Sequence, residues 1–391
     1  MDDLQANKYV QDLLGLMVAK KGSDLFIAPD FPPSIKIDGK ITPVANQKLA
    51  AEHTKLFAYA LMNDKQRREF EAERECNFAI SPEGIGRFRV NVFWQQDHVS
   101  MVCRTIASKI PTIEDMALPP ELRDIVMARR GLILMVGGTG SGKSTSLAAM
   151  INHRNQNAND HIVTIEDPVE YVHPNLSSLI SQREIGRDTL TWENALKNTL
   201  RQAPDVIFIG EIREREVMEH AIAFAETGHL CLATLHANNS NQAIDRILNF
   251  FGSEKRAQVL MDLSLNMRAI ISQRLIRKID GRGRAAAVEI MQNTPLIADL
   301  IYKGEVNELK EAMVKSKENG CRTFDMALFD LAEQGVISRE EAVRNADSIN
   351  DIRVRFKLES KSAGGMDEFK GAAGLSLDED VTRKLGLNKK T

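Results

Sequence analysis

The residues able to do chemistry lie mostly between positions 137 and 236. The run "GLILMVGGTGSGKSTSL", residues 131–147, sets five apolar residues, Leu132 to Val136, ahead of Gly137, Gly138, Thr139, Gly140, Ser141, Gly142, Lys143, Ser144 and Thr145. A glycine, four residues, then Gly-Lys-Ser is the complete pattern of a phosphate-gripping P-loop. Glycines let the backbone curl so that successive N–H groups point inward at a phosphate, and a helix opening near Lys143 adds the positive end of its dipole. Lys143 then reaches the β- and γ-phosphates, and the Ser144 hydroxyl ligates magnesium. The prediction is a site for a nucleoside triphosphate with Mg2+.

Such a site needs a group that positions water and a group that manages the metal. "IVTIEDPVEYVH" supplies Glu166, Asp167 and Glu170 directly after an apolar run, and "DVIFIGEIR" supplies Glu211 after another. Active-site groups of open α/β sheets collect at the carboxyl ends of strands. Glu170 and Glu211 are read as functional, whereas Glu166 and Asp167 read equally well as ordinary turn residues. The position before Glu211, where an aspartate is usual, is Gly210, so metal management rests on Glu211, through water. In "ETGHLCLATLHANNS", His229 and His236 flank an apolar run seven residues apart. A zinc site is disfavoured because an odd spacing on a strand points the rings apart and no third ligand is evident. A structural role, or a role in sensing the γ-phosphate or a neighbour, stays open for both.

The elements that must position these groups follow from patterning. "LILMV", "HIVTI" and "VIFIG" are short apolar runs of the kind found in strands buried on both faces, and they alternate with helical stretches as a parallel-sheet α/β fold requires. Ahead of them, residues 1–107 read as a smaller α+β module. It opens with a helical pattern (Leu13, Leu14, Met17, Val18), followed by the strand "SDLFI" and a tight hairpin at Asp38-Gly39. In "GRFRVNVFW", Phe88, Val90, Val92 and Trp94 share one face while Arg87, Arg89 and Asn91 share the other. The strand pattern alone makes those arginines a solvated face. Residues 108–120 form a Pro-containing linker, 121–360 the P-loop domain with its C-terminal helices, and 361–391, poor in large apolar residues, a flexible tail.

Composition bounds the function classes. The chain has 391 residues, 43% hydrophobic and 27% charged, with a net charge of −3 and a pI near 6.3, so it offers no broad basic footprint for nucleic acid. No window approaches 18 consecutive apolar residues and the N-terminus lacks a signal pattern, which predicts a protein without a membrane span that stays in the cytoplasm. Cys76, Cys103, Cys231 and Cys321 lie far apart with no CxxC pair, which argues against a disulfide framework or a four-cysteine zinc site.

In this order and spacing, the P-loop, "TIEDPVEYVH", "GEIR" and "TGHLCLATLHANNS" resemble the secretion ATPases, and specifically the type IV pilus retraction ATPases of the PilT/PilU kind, over roughly residues 8–355. The resemblance implies a homohexameric ring built from a PAS-like N-terminal domain and a RecA-like ATPase domain, with ATP and Mg2+ as its cofactors. It implies that Lys143 and Ser144 are the Walker A residues, that Glu170 activates water, that Glu211 is the Walker B residue, and that His229 and His236 form the histidine box. Arg87, Arg89 and Arg104 best match the arginines that approach the nucleotide when the ring closes. A guanidinium brought there by a moving domain can stabilise charge developing on the γ-phosphoryl oxygens.

The function implied is pilus retraction driven by ATP hydrolysis, at the cytoplasmic face of the inner membrane, in contact with the pilus platform protein. One departure bears on the branch. PilT-type relatives carry an "AIRNLIRE" helix motif, whereas the matching stretch here reads "LIADLIYKG". Both arginines are missing, although the apolar spacing of Leu296, Ile297, Leu300 and Ile301 survives. With the longer tail, this favours the PilU branch, an accessory ATPase beside a PilT-type ring. The alternatives are an extension or secretion ATPase of the same superfamily and a nucleotide-dependent regulatory switch.

Overall fold

The computed structural model describes residues 1–37, 39–106 and 110–360. The chain begins with α1 (Asp3–Ala19), started by a capping box in which Asp2 and Gln5 satisfy each other's backbone N–H groups. Its Leu13, Leu14 and Met17 are buried, while Val18 sits at the rim of that stripe and stays exposed. Then come β1 (Asp24–Ile27), β2 (Ser34–Ile37), β3 (Lys40–Pro43), α2 (Ala51–Leu61), α3 (Asp64–Glu73), β4 (Glu75–Ile80), β5 (Arg87–Gln95) and β6 (His98–Ile106). They form an antiparallel sheet in the order β3-β2-β1-β6-β5-β4. The β2–β3 hairpin forms with Gly39 at φ +81°; Asp38 lies outside the described residues. Alternation along β5 buries Phe88, Val90 and Val92 against the helices and leaves Arg87, Arg89 and Asn91 on the opposite face.

The second sheet contains β7 (Gly131–Val136), β8 (His161–Glu166), β9 (Leu179–Glu184), β10 (Val206–Ile209), β11 (Leu230–Leu235), β12 (Met267–Arg277) and β13 (Arg284–Gln292). Its order is β13-β12-β7-β11-β10-β8-β9, and β12 through β9 are mutually parallel. Every residue of β7, β10 and β11 is buried, as parallel strands covered on both faces must be. Helix α4 (Glu121–Val126) precedes β7, the helices between these strands are α5 (Lys143–Asn157), α6 (Trp192–Thr199), α7 (Arg215–Glu226), α8 (Ser240–Phe250) and α9 (Arg256–Asn266), and α10 (Pro295–Lys303) and α11 (Leu309–Lys315) follow β13. The order of strands and helices is that of a largely parallel α/β fold preceded by a smaller α+β module.

Helix α10 carries the altered motif. Thr294 caps it, Pro295 opens it and Gly304 ends it at φ +74°, so the helix is fully specified at both ends. Ile297, Leu300 and Ile301 are buried, but Leu296, at the edge of that stripe, is 44% exposed and is not part of the packed face that its spacing suggested. Contacts divide the described chain into one compact unit of residues 1–274 with 288–322, and a second containing residues 275–287 and 323–360. The second unit holds α12 (Phe324–Glu333), α13 (Arg339–Asn345) and α14 (Ile349–Glu359) around Phe324, Leu328, Ile352 and Phe356. The tail, 361–391, and residues 108–109 of the linker lie outside the described residues. All four cysteines are buried and free, and burial pushes every one of these thiols up, Cys76 to about 11, so none is a nucleophile at neutral pH.

Candidate active site

Parallel pairing puts the carboxyl ends of β7, β8, β10 and β11 on one edge of the sheet, and the polar residues following them line a single cleft. From β7 comes the P-loop. Gly137, at φ +155°, lies so close to its neighbours that a Cβ would sit 2.5 Å from Ser141 Oγ and 2.7 Å from the Gln273 carbonyl oxygen. Gly142 caps α5 at φ +88°, a left-handed conformation that aims the helix start into the cleft. Lys143 Nζ donates to the carbonyl oxygens of Gly137 (2.9 Å) and Gly138 (3.0 Å). Burial lowers the pKa of this ammonium below its ordinary value, opposed by the charges of Glu211 and Glu170, so both carboxylates act on it across the cleft. Thr139, Gly140 and Ser144 line the same cleft. Thr145 Oγ1 accepts a hydrogen bond from Tyr171 (3.0 Å), which ties α5 to the segment carrying Glu170.

From β10 comes Glu211. Its Oε1 lies 3.0 Å from His236 Nε2, and its Oε2 accepts from Arg213 Nε at 2.8 Å. The carboxylate is therefore fixed from two sides, by the residue following β11 and by its own chain neighbour. The absence of an aspartate before it has a steric reason: a Cβ at Gly210 would lie 3.2 Å from the Glu166 Cα and 3.3 Å from the Ile165 carbonyl oxygen. Strand β8 already fills that space.

From β8 come Glu166 and the segment 167–173. Asp167 and Glu170 are exposed to the cleft, but Glu166 is not the open turn residue its position allowed; it is 7% exposed. Thr164 Oγ1 donates to it at 2.7 Å and Gln182 Nε2 at 3.1 Å. Burial pushes its carboxyl up to about 7 in spite of these hydrogen bonds, and the charge of Glu170 adds to the rise. A buried carboxyl that titrates near neutrality can hold a proton in the cleft.

The structure brings Lys143, Ser144, Glu170, Glu211 and His236 together. It does not bring His229, which stands before β11 at the opposite, amino end of the strands, about 20 Å away at the usual rise per strand residue, where its Nδ1 meets Thr227 Oγ1 at 3.1 Å. The three arginines are also apart from the cleft. Arg104 pairs with Asp24 (2.7 Å), Arg89 is exposed opposite Arg104 in the β5–β6 register, and Arg87 pairs with Glu184 (2.7 Å). Three contributors escaped sequence reasoning: Arg213, Gln182 and Gln273. Gln273 Nε2 donates to the Ser141 carbonyl (2.8 Å) while its Oε1 accepts from Ser146 (2.7 Å), propping the P-loop from β12. Only Arg213 had a local signal, its place two residues after Glu211; the two glutamines are brought in by sheet pairing.

The donor set fits a nucleotide's phosphates. Ser141 Oγ is buried with no hydrogen-bond partner among the described residues, the glycine cradle rejects any Cβ at 137, and Lys143 is a partly desolvated cation at its mouth. Ser144 and Glu211, one hydroxyl and one carboxylate in the same cleft, are the oxygen ligands a hard cation such as Mg2+ takes, directly or through water.

The family model described as type II/IV secretion system protein matches residues 5–364. The Type IV pilus ATPase PilU of Pseudomonas aeruginosa is 56% identical over 371 residues, covering 95% of this chain and 97% of that protein. The pilus retraction ATPase PilT of the same organism is 41% identical over 337 residues, 86% of this chain and 98% of that protein. Among solved structures, the pilus retraction motor PilT with bound ADP superposes with a TM-score of 0.83 at 35% identity, over 88% of this chain and 99% of that one.

Proposed function

The chain belongs to the type II/IV secretion system protein family, and on that premise we propose that it is a homohexameric ATPase whose hydrolysis of ATP drives retraction of type IV pili. The observation that carries this reading is the convergence of Lys143, Ser144, Glu170 and Glu211 on one cleft in a chain 56% identical to PilU over almost its whole length. Residues 1–107 act as the N-terminal module, 121–360 as the ATPase domain with its C-terminal helices, and 361–391 as a tail.

In the reaction, Lys143 and the backbone N–H groups of Gly138 to Thr145 hold the β- and γ-phosphates. Glu170 takes the proton of the attacking water as its oxygen bonds to the γ-phosphorus and the bond to the ADP oxygen breaks. Ser144 and, through water, Glu211 would hold Mg2+, which would supply charge neutralisation at the phosphates. His236 reads the state of the site through its contact with Glu211. His229 lies at the far, amino end of the strands and would answer to a neighbouring subunit. Arg89 and Arg104 remain candidates for approaching a nucleotide when the ring closes.

The partners of this reading are a PilT-type ATPase and the inner-membrane platform protein, met from the cytoplasm; among the described residues no helix is long and apolar enough to cross a membrane. The accessory role rests on α10. Its polar face offers Asp299 paired with Lys303 (2.6 Å) and an exposed Tyr302 where PilT-type relatives place two arginines. The test is retraction in cells. A strain with this protein as its only retraction ATPase is expected to keep its pili extended, and adding a PilT-type partner to restore movement. Robust retraction by this protein alone would return it to the self-sufficient type.

A further inference from the structure

Glu170 sits on segment 167–173, which contains neither helix nor strand, so its carboxylate is only as well placed as the side chains that pin that backbone. Two pins come from β9, from residues two apart and therefore on one face. Gln182 donates from Nε2 to the Tyr171 carbonyl (2.8 Å) and accepts the His173 N–H at Oε1 (2.8 Å). Glu184 accepts the N–H of Val169, the residue before Glu170, at Oε2 (3.1 Å). Among the described residues β9 is the edge of its sheet, paired only with β8, so no further strand there stiffens it from outside.

The outside support comes from the six-stranded sheet. Arg87 Nη2, from β5, donates to Glu184 at 2.7 Å, and its acceptor is Oε2, the same oxygen that receives the Val169 N–H. Both side chains are largely buried, 20% and 6% exposed, and Arg87 Nε is buried without a hydrogen-bond partner among the described residues. The guanidinium is thus committed to Glu184, and the pair links two segments 97 residues apart in sequence.

We propose that Arg87 is a positioning residue: through the shared oxygen of Glu184 it holds the segment that aims Glu170, so that turnover depends on the N-terminal module within the same subunit. This rests on the reading of Glu170 as the water-activating group. It differs from a guanidinium acting on the nucleotide, because Arg87 works only through Glu184. A charge-assisted hydrogen bond to an oxygen that also takes a backbone N–H fixes direction as well as distance, and a displacement of about 1 Å at a catalytic group costs up to about a hundredfold in rate.

The experiment is a double-mutant cycle in the full-length chain, with Arg87→Met, Glu184→Gln and the combination, measuring kcat, KM and nucleotide Kd, with melting curves for each variant. The expected result is a fall in kcat of about tenfold for each single variant, KM and Kd within about twofold of wild type, and a double variant no slower than the slower single one. Arg87→Lys, which keeps a cation able to reach one oxygen, should recover part of the rate. Should Glu184→Gln fold poorly, Arg87→Lys against Arg87→Met carries the test alone, and equal rates for the two overturn the proposal. A roughly hundredfold loss in the double variant, or a loss expressed in Kd, also overturns it and makes Arg87 a nucleotide contact. A wild-type protein without ATPase activity defeats the parent reading and this one together, whereas an active wild type with an additive cycle defeats this one alone.

Discussion

The P-loop and the segment carrying Glu170 face each other across one cleft but are built in opposite ways. Nine consecutive residues, Gly137 to Thr145, make the first, and its conformation follows from its own glycines and the strand and helix on either side. The second has no secondary structure and takes its shape from Gln182, Glu184 and, through Glu184, Arg87. The shape of the P-loop is a local property of the sequence, whereas the placement of the Glu170 carboxylate is a tertiary one. Evolution can therefore retune the second by changing residues far from the nucleotide.

The sharpest separation of the two regions is Lys143→Ala. It removes charge-assisted contacts to phosphate worth about 2–3 kcal/mol, roughly 30- to 150-fold in Kd, and titration calorimetry with a non-hydrolysed ATP analogue should find that loss. Unchanged affinity would mean that the backbone cradle alone grips the phosphates. A smaller effect is expected at the join between β10 and β8. Gly210→Asp, which restores the usual aspartate, pushes a Cβ to 3.2 Å from the Glu166 Cα and should destabilise the fold by about 1–3 kcal/mol, visible as a lower Tm.

The third prediction concerns pH and Glu166, whose pKa rises from 4.5 to about 7 on folding. A carboxyl with a raised folded pKa favours folding while protonated and loses that contribution as pH climbs from its unfolded value through its folded one, here between about 4.5 and 7. Above pH 7 the penalty is about 3 kcal/mol. Glu166→Gln escapes it, so its Tm should match that of the wild type near pH 4.5 and exceed it increasingly toward pH 8. A constant difference between the two proteins across that range would remove Glu166 as a titrating group and leave the segment it borders electrostatically silent.

How much could be read beforehand follows the same contrast. The P-loop residues, the three parallel strands that precede Glu166, Gly137 and Gly210, and the alternation along β5 were legible because each depends on neighbours in sequence. The burial of Glu166 was not, since an acidic residue at a strand end is open or enclosed according to what β9 and the segment after it do. Gln182 and Gln273 carry no motif; they matter only because sheet pairing sets them beside Tyr171 and Ser141. For the histidines, the odd spacing pointed to separate faces, but the strand between them puts them at separate ends as well. Leu296 missed the core by one position on a helix whose buried stripe is narrow.

The central claim is that Glu170, held by a tertiary clamp opposite a local phosphate grip, activates the water. Glu170→Gln tests it most directly, because it keeps the shape of the side chain and removes its basicity. Bound nucleotide and single-turnover hydrolysis of radiolabelled ATP should be measured on the same preparation of variant and wild type. The account predicts ATP bound with near wild-type affinity and hydrolysed about 10²- to 10⁴-fold more slowly; hydrolysis near the wild-type rate would contradict it.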